Sequence, residues 1–153
     1  MRDSVQNLKF HDKPMLAVPL GTVMAQYVRS IPHRFGSLEF DAVVPIPMAA
    51  RRQRQRGYNQ AERLARFVAR DLGIPMRNDL LIRAGRSRPQ VGLARSDRLQ
   101  NVEGAFLATD ACTGMRVLVV DDVSTTGSTF RVAATALKSA GAEAVYCLSL
   151  AGE

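Results

Sequence analysis

The chain's 153 residues, 46% of them hydrophobic, suffice for one domain with a proper core and fall short of two domains of ordinary size, so residues 1–153 are expected to form a single domain. No run approaches the ~20 apolar residues of a membrane span, and the first residues lack the apolar centre of a signal peptide, so membrane insertion is excluded and the cytoplasm is the expected compartment. The net charge of +7 is lopsided: Arg51–Arg98 holds 13 Arg against Glu62, Asp71, Asp79 and Asp97, an excess that implies a polyanionic partner, whether pyrophosphate, nucleic acid or both.

Cys112 and Cys147 stand apart, without C-x-x-C pairs, and the two histidines are His11 and His33. A protein-bound zinc, a histidine-rich metal centre and an imidazole base are therefore not expected, and both thiols should be reduced, with Cys147 facing the core.

In chain order, Asp12–Arg29 reads as a helix with Pro14 near its first turn and Leu16, Leu20, Val23, Met24 and Tyr27 on its core face. Lys9, before it, reads as a solvated lysine, and Ile31–Leu38 as a connector. Asp41–Pro47 is a buried strand closed by prolines that cannot donate to a ladder. A loop from Met48 to Gly57 follows, carrying Arg51, Arg52, Arg54 and Arg56, and then a helix over about Asn59–Leu72 with Leu64, Phe67, Val68 and Leu72 on one face. Met76–Arg83 is a third strand, and the long polar stretch Gly85–Asn101 has the length of a lid or a disordered segment. Gly104–Ala108 is a short strand and Asp110–Met115 a turn.

Val117–Val120 then forms an unbroken apolar run, as in a parallel strand buried on both faces. It gives way to Asp121 and Asp122 and to the small polar residues Ser124, Thr125, Thr126, Gly127, Ser128 and Thr129, with Ser128 or Thr129 expected to cap a helix over Phe130–Ala140. Gly141 stops that helix and Ala144–Leu150 is the last strand. Strands alternating with helices predict a three-layer α/β domain around a mainly parallel sheet.

A tight turn feeding a helix start suits a phosphate, and two carboxylates beside it suit vicinal sugar hydroxyls. Together they favour ribose 5-phosphate over a nucleoside triphosphate, with Mg²⁺ able to take part directly or through water. The loop has no Walker A lysine, and no G-x-G-x-x-G occurs.

The stretch Val-Val-Asp-Asp-Val-Ser-Thr-Thr-Gly-Ser-Thr resembles the phosphoribosyl pyrophosphate (PRPP) signature of type I phosphoribosyltransferases. Val-Val-Pro-Ile-Pro followed by Arg-Gly-Tyr-Asn-Gln resembles the ComF family within that superfamily, and the likeness runs over most of the chain from about Leu8. The resemblance implies that Asp121 and Asp122 hold the ribose hydroxyls and Ser124 through Thr129 the 5-phosphate. It makes Met48, Ala49, Ala50, Arg51 and Arg52 the pyrophosphate loop, and Arg88, Gln90, Arg95 and Asn101 part of a flexible catalytic loop over about 85–101. The activity it implies is Mg²⁺-dependent displacement of pyrophosphate from the anomeric carbon of PRPP, with Mg²⁺ carried by the substrate.

Two features of the resemblance are missing. Many ComF relatives begin with a cysteine-rich zinc ribbon, and this chain starts after where one would end; a glutaminase domain is absent too, so no residue names the acceptor. The alternative from a different class is a DNA-uptake accessory that binds single-stranded DNA through Arg51–Arg98, with a regulatory or vestigial PRPP pocket. Few aromatic residues interleave with the arginines there, chiefly Tyr58 and Phe67, which favours the enzyme. A homodimer is compatible with either reading.

Overall fold

The computed structural model describes residues 17–31, 39–84 and 105–152. Its centre is β4 (Arg116–Ser124), which runs parallel to β1 (Ala42–Pro45) on one side and to β5 (Ala144–Gly152) on the other. Val43 lies opposite Leu118, and Leu118 opposite Tyr146. The fold is thus α/β with a parallel sheet, as the alternation of strands and helices predicts.

Burial on both faces explains the unbroken apolar run. Val117 and Val119 point into one core with Phe130, Ala133 and Leu137 of α4 (Ser128–Ser139). Leu118 and Val120 point into the other, where they meet Met24 and Val28 of α1 (Ala17–Ser30) and Leu64, Ala65 and Val68 of α3 (Gln60–Leu72). Helices therefore cover both faces, which makes three layers.

Several expectations are corrected. The face of α1 is rotated: Met24 is buried and Leu20 packs against the core as expected, but Tyr27 is 59% and Val23 52% exposed, and Ala17, Gly21, Ala25 and Val28 complete the buried face instead. Helix-to-helix packing selects the small residues, because Gly21 lets α1 approach α3 so closely that a Cβ there would lie 2.5 Å from the Cβ of Phe67. The stretch Met76–Arg83 is not one strand. Met76 makes an isolated parallel bridge to Val43, the chain bends at Asn78 and Asp79, and β2 (Leu81–Arg83) pairs antiparallel with β3 (Phe106–Ala108) in a separate two-stranded sheet. The bend is braced by Arg77, whose guanidinium donates to both carboxylate oxygens of Asp79 at 2.8 and 2.7 Å and holds that carboxyl down to about 2.

Residues Ala50–Arg56, expected as loop, form the short helix α2. Ala, Arg and Gln are strong helix formers, and Gly57, with φ of 76°, ends the helix by returning its N–H to the carbonyl of Gln53. Cys147 does not face a core either. Cys112 is the buried thiol, while Cys147 is exposed and lines an apolar groove beside Tyr27 and Phe40. No described helix is long and apolar enough to cross a membrane. Lys9, His11, Pro14, Leu16, His33 and the segment 85–101 lie outside the described residues.

A helical Gly→Ala change ordinarily stabilises. Gly21→Ala is expected to do the opposite, lowering unfolding free energy by about 1–3 kcal/mol through overpacking against Phe67. Urea denaturation of both proteins would show it, and equal or higher stability of the variant would refute the close approach.

Candidate functional site

The carboxyl ends of β1 and β4 open onto one cleft of about 230 Å³. Asp121 and Asp122 occupy the end of β4, both half-buried, with their backbone still in the sheet. Each carboxylate accepts the next backbone N–H: Asp121 Oδ1 from Asp122 at 2.8 Å, and Asp122 Oδ1 from Val123 at 2.9 Å. One oxygen of each group is thereby anchored to the main chain.

After Ser124 the backbone bends through Thr125, Thr126 and Gly127 into α4. The expected side-chain cap is absent. Gly127 holds the cap position in the left-handed region, with φ of 70°, and no side chain caps the first turn from there. Ser128 belongs to the helix, and its N–H reaches Thr126 Oγ1 at 3.4 Å. Apart from that contact, a helix start whose cap residue has no side chain offers its next N–H groups and its positive dipole end to an anion. Thr129, in this first turn, lines the cleft.

The opposite wall begins where β1 ends. Pro47, Met48 and Ala49 run along the cleft, and α2 adds the side chains of Arg52 and Arg56. The start of α3 closes the back. Asn59 caps that helix by accepting from Ala61 N at 3.1 Å, and its Nδ2 donates to the carbonyl of Ile46 at 3.0 Å, so one buried amide ties the strand's exit to the helix's entry. Its neighbour Gln60 is 2% exposed and lines the cleft, yet among the described residues its Nε2 has no hydrogen-bond partner. A buried amide left so costs on the order of 1–3 kcal/mol. From the side comes Arg83 of β2, which donates to the carbonyl of Pro47 at 3.5 Å and lies 5.4 Å from the centre of the Phe106 ring.

Of the residues expected at a site, the cleft brings together Met48, Ala49, Arg52, Asp121, Asp122 and Thr129. Ala50 and Arg51 do not line it, nor do Ser124, Thr125, Thr126, Gly127 and Ser128. Arg88, Gln90, Arg95 and Asn101 lie outside the described residues. Arg56, Asn59, Gln60 and Arg83 were not anticipated. Asn59 carried a signal, a cap residue ahead of an amphipathic run; Arg83 carried none, since only the antiparallel pairing with β3 brings it here.

No group of three or more His, Cys, Asp or Glu side chains gathers among the described residues. A hard divalent ion meeting Asp121 and Asp122 would need its remaining oxygens from a ligand and water, which a phosphate-rich ligand supplies.

A family model described as phosphoribosyl transferase domain matches residues 58–152. Competence protein F of Haemophilus influenzae is 33% identical over 150 residues, 96% of this chain and 66% of that protein. The DNA utilization protein YhgH of Salmonella typhimurium is 32% identical over 146 residues, 94% of this chain and 64% of that protein. The chain spans just under two thirds of the length of these curated relatives. Among solved structures, the glutamine PRPP amidotransferase from B. subtilis, complexed with ADP and GMP, is similar with a TM-score of 0.62 at 24% identity. That match covers 94% of this chain and 30% of the amidotransferase, and it is a likeness of fold.

Asn59→Ala should cost about 1–3 kcal/mol, since it removes the cap of α3 and strips the Ile46 carbonyl of its donor. Asn59→Ser, which retains a cap acceptor without adding a charge, should lose less. Chemical denaturation of the two variants checks the order.

Proposed function

This chain belongs to the phosphoribosyl transferase domain family and stands beside ComF-type competence proteins, and from that premise we propose that it binds PRPP in the cleft and transfers its phosphoribosyl group. The observation that carries this reading is the meeting of an acidic pair, an uncapped helix start and an arginine-bearing wall around one cleft. Asp121 and Asp122 accept hydrogen bonds from the ribose hydroxyls. The first turn of α4 and the bend before it take the 5-phosphate. Arg52, with the backbone beside Met48 and Ala49, takes the pyrophosphate.

In the reaction the bond between the anomeric carbon and the pyrophosphate oxygen breaks, its electron pair leaves with pyrophosphate, and an acceptor nucleophile bonds to the carbon. Guanidinium groups aimed at the departing oxygens stabilise charge that grows as the bond lengthens. Mg²⁺ carried on the diphosphate, and within reach of Asp121 and Asp122 directly or through water, would neutralise part of the same charge when bound. Nothing in the cleft selects a base, so the acceptor stays unassigned.

A second reading draws on a different surface. Arg63 lies 4.3 Å from the centre of the Tyr58 ring and Arg70 5.0 Å from that of Phe67, so the two aromatic residues of the basic segment each carry a guanidinium. One half-buried ring just before α3 and one within it, each beside a guanidinium, suit single-stranded nucleic acid, and relatives bear competence and DNA utilization names.

Calorimetric titration with PRPP and Mg²⁺ tests the first reading. Asp121→Asn with Asp122→Asn should weaken binding about a hundredfold or more, since two charged acceptors are worth about 1.5–3 kcal/mol each, and leave circular dichroism unchanged. Undiminished affinity would remove the ribose assignment.

The arginines separate the two readings. Arg52→Ala should weaken PRPP binding far more than Arg51→Ala, because only Arg52 lines the cleft. On a DNA track the two changes should act alike, each lowering the salt slope of binding by about one. Tight, salt-dependent DNA binding without detectable PRPP affinity would favour the second reading.

A further inference from the structure

Among the described residues, one buried side-chain polar atom lacks a hydrogen-bond partner, and it belongs to a residue lining the cleft: Gln60 Nε2. The contrast with Asn59 next to it is informative. Both side chains are buried amides at the start of α3, but Asn59 uses its nitrogen on Ile46 and its oxygen on Ala61, so its amide is accounted for by the fold. The amide of Gln60 has no such structural use. A Leu or Met would fill the same space at no polar cost, so the amide calls for a partner that the described residues do not supply.

The surroundings specify that partner. Arg52, Arg56 and Arg83 line the same cleft, as does the backbone beside Met48 and Ala49, while the carboxylates of Asp121 and Asp122 stand at the end of β4. An N–H donor set among guanidinium groups is suited to an anionic oxygen. We infer that Gln60 is a diphosphate-reading residue, whose side-chain NH₂ donates to an oxygen of the pyrophosphate arm of the bound substrate. The inference rests on the reading of the cleft as a PRPP site and adds the residue that distinguishes a diphosphate ester from a sugar monophosphate there. Nε2 has no accessible surface in the ligand-free protein, so the amide turns about its last side-chain torsion when the ligand enters. That torsion is broad and two-fold, and the half-turn leaves Oε1 in the buried place that Nε2 vacates.

The test compares two ligands on two proteins. PRPP with Mg²⁺ carries the diphosphate, and ribose 5-phosphate carries the sugar and the 5-phosphate without it. In Gln60→Met, affinity for PRPP should fall about tenfold or more while affinity for ribose 5-phosphate is unchanged, and the thermal midpoint should hold or rise because a buried unpaired amide is gone. A merely structural glutamine would give the reverse, a lower midpoint with both ligands weakened together, and that result overturns the inference. So does unchanged affinity for PRPP in the variant. If wild-type protein binds neither ligand, the reading of the cleft fails and the inference falls with it, a result separate from failure in the variant alone. A second measurement needs no variant: the side-chain NH₂ resonances of Gln60 should shift and exchange more slowly with PRPP than with ribose 5-phosphate. Equal response to the two ligands counts against it.

Discussion

Along Val117–Val120 the central strand has no solvent face, so alternate side chains serve two separate cores, and a slip of one residue would exchange the two sets. Apolar character alone would not forbid the slip, because both sets are aliphatic. The polar ends of the run forbid it. At the entry, Arg116 gives its N–H to Asp41 Oδ2 at 2.7 Å and its guanidinium to Glu39, while its carbonyl accepts from the N–H of Asp41. At the exit, a one-residue retreat would drag Asp121 into a wholly apolar layer, where an uncompensated carboxylate is prohibitively costly. The same charges that mark the end of the core thus fix where the cleft begins.

Both walls of the cleft inherit their position from this register. Ile46 donates to the carbonyl of Val120 at 2.9 Å, so the exit of β1 is level with the residue before the acidic pair. From there Asn59 sets the start of α3, and Arg83 reaches across from the two-stranded sheet to the carbonyl of Pro47. Asn59 and Arg83, which hold the walls, use backbone carbonyls as anchors, and Arg52 and Arg56 line the cleft from an exposed helix.

What could be read in the sequence follows the strength of each physical signal. The buried run and its acidic end were legible because a parallel strand with two covered faces leaves an uninterrupted apolar string. So was α3, where a cap residue precedes Leu64 and Val68 at helical spacing. The helix α2 was hidden because none of its residues is buried, and an exposed helix has no apolar period to display. The face of α1 was misread for a different reason: large apolar residues suggest burial, but close approach to α3 favours Ala17, Gly21 and Ala25 over Val23 and Tyr27. At the site, residues supplied by the two strand ends were anticipated, whereas Gln60 and Arg83 depend on tertiary geometry that no local pattern encodes.

The bond from Asn59 to Ile46 spans thirteen residues of chain and closes them into a loop whose two ends are both fixed in the core. Everything between, including the arginine helix, contributes nothing buried from Ala50 through Gly57. That segment is therefore an exchangeable cassette. Its length and sequence can change while the sheet and both hydrophobic layers stay as they are, because doubling a flexible loop costs only about 0.6 kcal/mol. One scaffold can in this way carry different segments between two fixed points.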